Sequence, residues 1–543
     1  MKKLISLLLV VIMMVSLVAC TTNNPSNNVT PGTTTGTSKY GGVLNLAYVG
    51  GGGANLDPTG SGWDRYIWST NVVENFLTRD LDGNIQPGVC TYELSDDNLT
   101  LVLKPREGVK FHNGELVTID DLRASIEYNK TTQMLDYVRE LIEEIVMDYD
   151  NNTMTLKFKE YNVQTLYQLS GNNCYICVLP KTVWEKYKSK DPEAKDEDVK
   201  IIAPEDCIGT GPYKIDVSAY VPDYKVSLVR FDDYVQKDET LTGAAGPRYA
   251  YMDRINIVYA SDANAVAMGV MKGEFDMASL GSVFYDTMTA AKMQVVADPI
   301  GTMGYLAFNT CDFTRNDEYM RKAVAAAIDY ETLLEITYGK GYYTMDTSPM
   351  GEGPYHTTKF TDADFAGKAN IELAKQYLAK SKFKDETLIM LAPSSNNITG
   401  EAIKNMCSEA GIKIEIKYYD DSTYKSMYQK ATSNDYDFVW QASAQSDLVP
   451  ATLVTNFRIR FWRNNYDWAE AQFNKSGTLV YNSAESLAHW DELSTAWVNN
   501  AHVVPVGLST GTYFCSGDLT VQFPGAWRAL YNTYWNNPAA HAE

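Results

Sequence analysis

The chain has 543 residues, of which 45% are hydrophobic and 21% are charged, a composition typical of globular proteins rather than disordered or fibrous ones. Lys and Arg number 47 against 68 Asp and Glu, which gives a formal net charge of −21. Nucleic acid and anionic membrane surfaces are therefore excluded as partners for the body of the chain, since both select a basic surface. The length predicts roughly two to four domains.

The N-terminus predicts export and a lipid anchor. A basic start, Met1–Lys3, precedes the apolar stretch Leu4–Val18, which at about 15 residues suits a signal peptide better than a membrane-spanning helix. The stretch ends in the sequence LVAC, which resembles the lipobox of bacterial lipoproteins and would make Cys20 the lipidated N-terminus. An ordinary secretion signal with a chance cysteine is the alternative. We therefore expect a lipoprotein signal peptide at 1–20 and a flexible tether, rich in Thr, Asn, Ser, Pro and Gly, at 21–40.

Beyond residue 40, predicted strands and helices alternate. Strands are predicted in the segment VLNLAYV that leads into the loop Gly50–Gly53, and at 99–111, 154–158, 226–231 and 411–417. Helices are predicted at 63–77, after Thr118, and at 262–272, 317–328, 331–338, 370–380 and 400–410. Thr118 and Asp121 have the spacing of a helix N-cap, and Asp82-Gly83 predicts a hairpin turn. This interleaving predicts an α/β or α+β fold.

The sequence contains no complete motif for metal, redox or nucleotide chemistry. The Gly50–Gly53 loop lacks the Lys-Ser/Thr that a phosphate-binding loop needs, so we expect it to lie open at a cleft. Cys174 and Cys177 form a C-x-x-C without a second pair or a nearby His, and a buried segment is the favoured interpretation. If Cys20 is lipidated, the remaining cysteines are odd in number and at least one is unpaired. No cofactor and no metal site are predicted.

Five blocks of sequence occur in the order of a known family. The blocks are Asn55–Pro58 with Asp82–Gly88, Ser95–Thr100, Leu103–Gly114 and Val117–Leu122; Ile208–Lys214 with Arg230–Tyr234; Met252–Ile257 with Asp262–Ala265 and Gly273–Asp276; Tyr305–Thr310 with Arg321–Ala323 and Ala327–Asp329; and Gly411–Ile414 with Asp435–Asp437. Together, over nearly all of the mature chain, they resemble the family 5 extracellular solute-binding proteins, the oligopeptide-, dipeptide- and nickel-binding lipoproteins of ABC importers. Many of these motifs are turns and caps, so they indicate fold more strongly than ligand.

The resemblance implies a periplasmic-binding-protein-like clamp of the α/β (α+β) class. Such a clamp has two lobes and three domains, one of them an extra inserted domain, with a ligand cleft between the lobes. Domain I would comprise 41–78, 206–307 and 491–543, the inserted domain II would span 79–205, and domain III would span 308–490. The chain would cross between the lobes near the ends of domain III.

The resemblance also implies a transport role without catalysis. The protein would capture a solute and deliver it to the permease and ATPase subunits of an ABC importer. We expect a monomer, held by its lipid anchor on the extracellular face of a Gram-positive bacterium, or on the periplasmic side of the membrane. An oligopeptide is the preferred solute, and an oligosaccharide is the alternative. An extracellular hydrolase is a more distant alternative, because no nucleophile–base motif or metalloprotease motif occurs.

The peptide-specific part of the resemblance is incomplete. In peptide-binding relatives, a Trp and a nearby Asp in domain III hold the ammonium group of the peptide, since a desolvated cation needs a carboxylate partner. In the matching segment, 437–450, Ser446 stands where the Asp is expected and Asp447 follows one residue later. Trp440 lies three residues before the position expected for the Trp. The ammonium clamp is therefore either shifted or missing.

Aromatic residues keep the oligosaccharide alternative open. The chain contains 37 Tyr, 17 Phe and 10 Trp, and flat rings stack on the apolar faces of sugars. By analogy, the candidates for the cleft are Asn55, Trp63, Trp68, Trp440 and Tyr513. A place in the hydrophobic core is the competing interpretation for each ring. Nickel is a third option, but none of the five His forms a pair with ligand spacing.

Overall fold

The structure is a computed structural model, and all of its described residues belong to one compact unit, 39–543. The described residues are 39–50, 56–58, 65–128, 138–171, 176–187, 202–310, 314–350, 354–358, 363–394, 397–420, 423–424, 426–427, 435–444, 466–523 and 528–542. The predicted signal peptide, Cys20 and most of the predicted tether lie outside them.

The described chain alternates strands and helices as expected. The strands are β1 (Val43–Val49), β2 (Leu77–Arg79), β3 (Ile85–Pro87), β4 (Cys90–Leu94), β5 (Thr100–Pro105), β6 (Ile142–Asp148), β7 (Thr153–Phe158), β8 (Tyr213–Ile215), β9 (Lys225–Arg230), β10 (Arg254–Ala260), β11 (Met277–Ser279), β12 (Gln294–Phe308), β13 (Tyr343–Met345), β14 (Thr387–Pro393), β15 (Lys413–Tyr419), β16 (Phe438–Ala444), β17 (Val503–Cys515), β18 (Leu519–Thr520) and β19 (Tyr534–Trp535). The helices are α1 (Tyr66–Val72), α2 (Ile119–Glu127), α3 (Val163–Leu169), α4 (Lys181–Tyr187), α5 (Ala263–Lys272), α6 (Tyr285–Ala290), α7 (Glu318–Ala327), α8 (Tyr330–Tyr338), α9 (Ile371–Lys380), α10 (Asn397–Glu409), α11 (Tyr466–Thr478) and α12 (Ala484–Asn499).

Local sequence signals explain most of these elements. At the start of α2, the Thr118 side chain accepts a hydrogen bond from the Asp121 backbone, and the Asp121 carboxylate accepts one from Thr118 N at 2.8 Å, which confirms the predicted cap. The predicted turn at Asp82-Gly83 connects β2 and β3, with Gly83 at φ +82°. The helix predicted at 63–77 is shorter, because the backbone becomes extended at Val73 and Asn75 pairs with Cys177 instead of continuing the helix.

One large mixed sheet runs through the molecule. In the described chain it has eleven strands, in the order β15-β14-β16-β12-β17-β11-β1-β10-β9-β8, with β13 paired to β17. Strand β1 is parallel to β10 and β11, and β14 is parallel to β15 and β16. The two parallel groups are joined by the long antiparallel pair β12 and β17 in the middle.

The two long strands connect two half-sheets, each with its own hydrophobic core. At one end β17 pairs with β11, and at the other β12 pairs with β16. Their mutual pairing is interrupted between Ala297 and Gly301, where the register shifts. A separate four-stranded sheet, β4-β5-β7-β6, has a third core. This arrangement is a two-lobed clamp in which two strands carry the connection between the lobes.

The predicted domain boundaries stay predictions, but the packing favours moving two of them. Tyr305, Trp490 and Val503 share one core, although the boundaries at 307/308 and 490/491 would separate them. Tyr513 belongs to the core of the other half-sheet. The interruption of the β12–β17 ladder therefore marks the change of lobe better than the predicted positions do.

A buried carboxylate holds part of the second half-sheet together. Asp437, with no exposed surface, accepts hydrogen bonds from the backbone of Arg315 and of Ile389, each at 2.6 Å. The Arg315 guanidinium also donates to it from Nε at 3.0 Å. Asp437 thereby joins β14, the start of β16 and the segment before α7.

We expect Asp437→Ala to lower the free energy of unfolding by about 3 kcal/mol, because it leaves two backbone donors and the partly exposed Arg315 guanidinium without their acceptor. Urea unfolding followed by circular dichroism measures this loss. Asp385→Ala is the control. Asp385 is an exposed carboxylate just before β14, so its loss should change stability by less than about 0.5 kcal/mol. Equal losses in the two variants would contradict the structural role of Asp437.

Candidate functional site

Parallel strands of both half-sheets end at the same place. Ser279, at the end of β11, pairs with Tyr513, which in turn pairs with Val296. Ala444, at the end of β16, pairs with Thr302. The carboxyl ends of the two parallel groups therefore meet on either side of the interruption at 297–301. In open α/β sheets, ligands bind outside the carboxyl ends of parallel strands. We define the crossing segment as residues 297–301 and 509–512, and the candidate site lies beside it.

A charged pair lies at the crossing segment. The Arg528 guanidinium donates to the Asp298 carboxylate from Nε at 2.7 Å, and to the Tyr48 hydroxyl at 2.8 Å. Although burial opposes the charge, Tyr513 and Asp298 together raise the pKa of Arg528, so the guanidinium stays charged. Gly511 lets Asp298 approach, since a Cβ there would lie 2.9 Å from the Asp298 Cβ. The site thus offers a paired donor–acceptor group and a tyrosine hydroxyl.

The two half-sheets also touch beside the crossing segment. The loop after α8 approaches the turn before α6 so closely that a Cβ at Gly339 would collide with Ser282. The rings of Tyr285 and Tyr342 meet edge to face, with centroids 5.8 Å apart. The Tyr342 carbonyl accepts a hydrogen bond from Thr510 N at 2.9 Å, which ties this contact to the crossing segment.

A second contact joins the core of the four-stranded sheet to that of the second half-sheet. We call it the aromatic contact and define it by Tyr161, Tyr167, Tyr355 and Tyr481. The Tyr481 ring lies 5.5 Å from that of Tyr167 and 5.8 Å from that of Tyr355, centroid to centroid. The Arg79 guanidinium covers Tyr167 at 4.2 Å. Burial raises the pKa of Tyr161 to about 12, so its hydroxyl stays neutral.

The loop between α11 and α12 is held in place for the aromatic contact. Asn482 N donates to the Tyr355 hydroxyl at 2.9 Å, and that hydroxyl lies 3.0 Å from Ser486 Oγ. Asn482 has φ +56°, a left-handed conformation that Asn tolerates well. The loop is therefore a fixed partner for α3.

Three of the predicted site residues are buried in hydrophobic cores. Trp68 and Tyr513 have no exposed surface, and Trp440 is 7% exposed. Trp440 packs over Gly304, where a Cβ would lie 2.7 Å from the indole ring. These positions favour packing roles, and ligand contact by these rings stays a prediction. Asn55, Trp63, Ser446 and Asp447 lie outside the described residues, so the ammonium clamp also stays a prediction.

Sequence reasoning missed the polar residues at the crossing segment. Asp298 and Arg528 are far apart in the chain, and neither belongs to a motif that signals a site. The alternation of small and larger residues in the segment STGTYF, at 509–514, was the signal that could have indicated a strand there. Pairing of that strand with β12 could not be read from it.

No helix in the described part of the chain is long and apolar enough to cross a membrane. Nor do the described residues contain a group of three His, Cys, Asp or Glu side chains placed to hold a metal ion.

Two lobes that meet at a crossing pair of strands, with polar groups between them, define a solute-binding clamp. The family model for bacterial extracellular solute-binding proteins, family 5 (middle), matches residues 84–464, and the chain belongs to this family. The resemblance inferred from sequence and the predicted fold class are both confirmed.

Several relatives show the extent of the likeness. The oligopeptide-binding protein OppA of Bacillus subtilis is 23% identical over 504 residues, which cover 84% of this chain and 86% of the relative. Two solved structures share the fold. DppA of Helicobacter pylori in complex with the peptide STSA has a TM-score of 0.67 at 16% identity, over 91% of this chain and 98% of its own. NikA of Staphylococcus aureus in complex with Ni(L-His)2 has a TM-score of 0.61 at 17% identity, over 91% of this chain and 100% of its own.

We expect Tyr481→Ala to loosen the aromatic contact and to increase the radius of gyration measured by small-angle X-ray scattering, because Tyr481 joins two separate cores. Tyr481→Phe retains the tilted and edge-to-face ring contacts and should scatter like the parent protein. Tyr224→Ala, at a ring that is 52% exposed, controls for loss of a tyrosine elsewhere. An unchanged radius in Tyr481→Ala would show that the aromatic contact does not hold the two parts together.

Proposed function

We propose that the protein captures a small solute beside the crossing segment and delivers it to the permease and ATPase subunits of an ABC importer. The observation that carries this proposal is the meeting of the carboxyl ends of two half-sheets at a two-strand connection. Such a connection permits the lobes to close around a ligand. The family supports the role of a binding protein rather than an enzyme.

An oligopeptide is the solute we favour. A peptide presents backbone donors and acceptors, which the Arg528–Asp298 pair and the Tyr48 hydroxyl can satisfy. Relatives named for oligopeptide binding, and a solved relative holding the peptide STSA, support this choice. The relative holding Ni(L-His)2 shows why the fold alone does not select the ligand.

An oligosaccharide is the alternative that a specific observation favours. The rings of Tyr48, Tyr285 and Tyr342 lie at or next to the crossing segment, and tyrosines combine an apolar face with a polar hydroxyl. The paired state of Arg528 and Asp298 also leaves little net charge there. A neutral, hydroxyl-rich solute would fit such a surface.

Anchoring completes the proposed role. Lipidation at Cys20 would hold a monomer on the outer face of a bacterial membrane, as in a Gram-positive cell, with the tether 21–40 between the lipid and β1.

We expect Cys20→Ser to move the protein from the membrane fraction to the culture medium or periplasm in cell fractionation. Retention of Cys20→Ser in the membrane fraction would contradict the lipid anchor.

The ligand is tested by calorimetry and thermal unfolding of residues 39–543, which form one compact unit. A bound solute should raise the melting temperature by mass action. Short peptides are expected to do so, and stabilisation by oligosaccharides alone would favour the alternative. Ligand turnover would contradict the role of a binding protein.

For the solute so identified, Arg528→Met should weaken binding at least about tenfold, because it removes a partly buried charged donor beside the site. Arg254→Met is the matched control. The Arg254–Asp216 pair has the same 2.7 Å separation but lies at the start of β10, at the opposite edge of the sheet. In titration calorimetry, Arg254→Met should bind the solute with an affinity within about twofold of that of the parent protein. Equal effects in the two variants would place the ligand elsewhere.

A further inference from the structure

A buried charged cluster lies away from the crossing segment. Glu74, which follows α1, lies between Lys237 and Arg248, and their side chains are 1%, 3% and 7% exposed. Lys237 Nζ and an Arg248 terminal nitrogen each lie 3.2 Å from Glu74 Oε1. Buried charges are stable only when they are paired, so the balance of charge here decides what the cluster can hold.

The Glu74 carboxylate is saturated with donors. Besides the two cations, Tyr234 Oη donates to Oε1 at 3.2 Å and Thr210 Oγ1 donates to Oε2 at 3.0 Å. Burial would raise the pKa of Glu74, but Lys237 and Arg248 outweigh it and lower the pKa to about 2. Glu74 is therefore ionised and has little capacity for another donor.

Positive charge exceeds negative charge in the cluster. Two buried cations share one carboxylate, and the charged groups that act most on Lys237 are Arg248, Glu74 and Arg106. Arg106 donates to carbonyl oxygens, at 2.7 Å to that of Gly88, and so adds a third cation without an anion. In the described chain, the cluster has a surplus of one or more positive charges.

A small cavity adjoins the surplus charge. Its volume of about 20 Å³ holds one particle of the size of water. Lys237 and Asn75 line this cavity, and Asn75 Nδ2 is buried without a hydrogen-bond partner, while Lys237 Nζ is paired with Glu74 alone of the described carboxylates and has donors to spare. Both are donors. A water molecule there would have to donate as well as accept, whereas an anion only accepts, so the surplus positive charge favours an anion.

We propose that this cavity binds a monatomic anion, of which chloride is the abundant example, held by Lys237 Nζ and Asn75 Nδ2. The anion would accept both unsatisfied hydrogen bonds and neutralise the surplus charge. The cavity is lined by segments from distant parts of the chain, at Thr78, Lys237, Ala244 and Tyr531. The ion would therefore stabilise the junction of those segments, independently of the solute carried by the protein.

The first experiment compares thermal unfolding of the intact protein in sodium chloride and in sodium gluconate at equal ionic strength and pH 6. A rise of about 2–3 °C is expected when chloride reaches a hundredfold excess over its dissociation constant. Lys237→Met removes the ammonium group that would hold the ion, and Asn75→Asp supplies an internal anion, so both should lose the difference between the two salts. Lys186→Met, at an exposed ion pair, should retain it. Identical melting temperatures of the parent protein in both salts would overturn the proposal.

The pH dependence gives an independent signature. The charged and titratable groups around the cavity are Glu74, Lys237, Arg248, Arg106, Tyr234 and Tyr531, with His112 close to Glu74. Burial lowers the pKa of His112 to about 4, so it is neutral above pH 6. Burial and Arg248 lower the pKa of Lys237 to about 7. Raising the pH through 7 discharges the ammonium, so the difference between chloride and gluconate should shrink by pH 8.5. A constant difference would argue against Lys237 as the ligand.

A crystal grown or soaked in sodium bromide locates the ion directly, and does not depend on whether the variants fold. We expect an anomalous peak within hydrogen-bond distance of Lys237 Nζ and Asn75 Nδ2. The peak should be absent from crystals of Asn75→Asp. An ordered water without anomalous signal at this position, or an empty cavity, would overturn the proposal.

Discussion

The pairing of β12 with β17 is the interaction on which the rest of the structure depends. These two strands belong to both half-sheets, so each half completes its hydrogen bonding only through them. The ladder loses its pairing within the crossing segment and has a second register shift between Gly304 and Tyr305. A change in the angle between the lobes can therefore be absorbed at a few residues, while the strand pairs on either side stay intact. Two glycines in the ladder allow neighbouring groups to come close. Gly507 admits the backbone of β13, and Gly511 admits the side chain of Asp298.

The sequence predicted those elements whose causes are local. The cap at Thr118, the hairpin turn at Gly83 and the helices α5, α7, α8, α9 and α10 follow from spacing and capping residues within a few positions, and they occur as expected. The crossing strands were missed because their stability comes from partners about 200 residues away, as in the pair Gln294 and Cys515. The shortened α1 has the same cause, since Asn75 leaves the helical conformation to pair with Cys177, which is far along the chain.

The candidate site was harder to predict than the fold. An aromatic residue carries the same sequence signal whether it packs in a core or faces a ligand, and Trp68 and Tyr513 proved to be core residues. The partners around each ring distinguish the two cases, and those partners come from distant parts of the chain.

The net charge of −21 was equally uninformative about the site. Two buried acids, Asp298 and Asp437, pair with Arg528 and Arg315, so their charges add little to the net charge of the interior.

Contacts between the two lobes bear on how tightly any solute can bind. The protein makes such contacts by itself, at Gly339 against Ser282 and at Tyr481 against Tyr167. Each of them favours the closed arrangement before a ligand contributes. If closure is required for binding, the apparent affinity rises with the fraction of molecules already closed, without any new contact to the ligand. The same contacts must break for the solute to be released, so a stronger aromatic contact would improve capture and slow delivery. The contacts between the lobes are made by tyrosine rings. Such contacts are weaker than a buried ion pair, so they favour closure without preventing the lobes from opening.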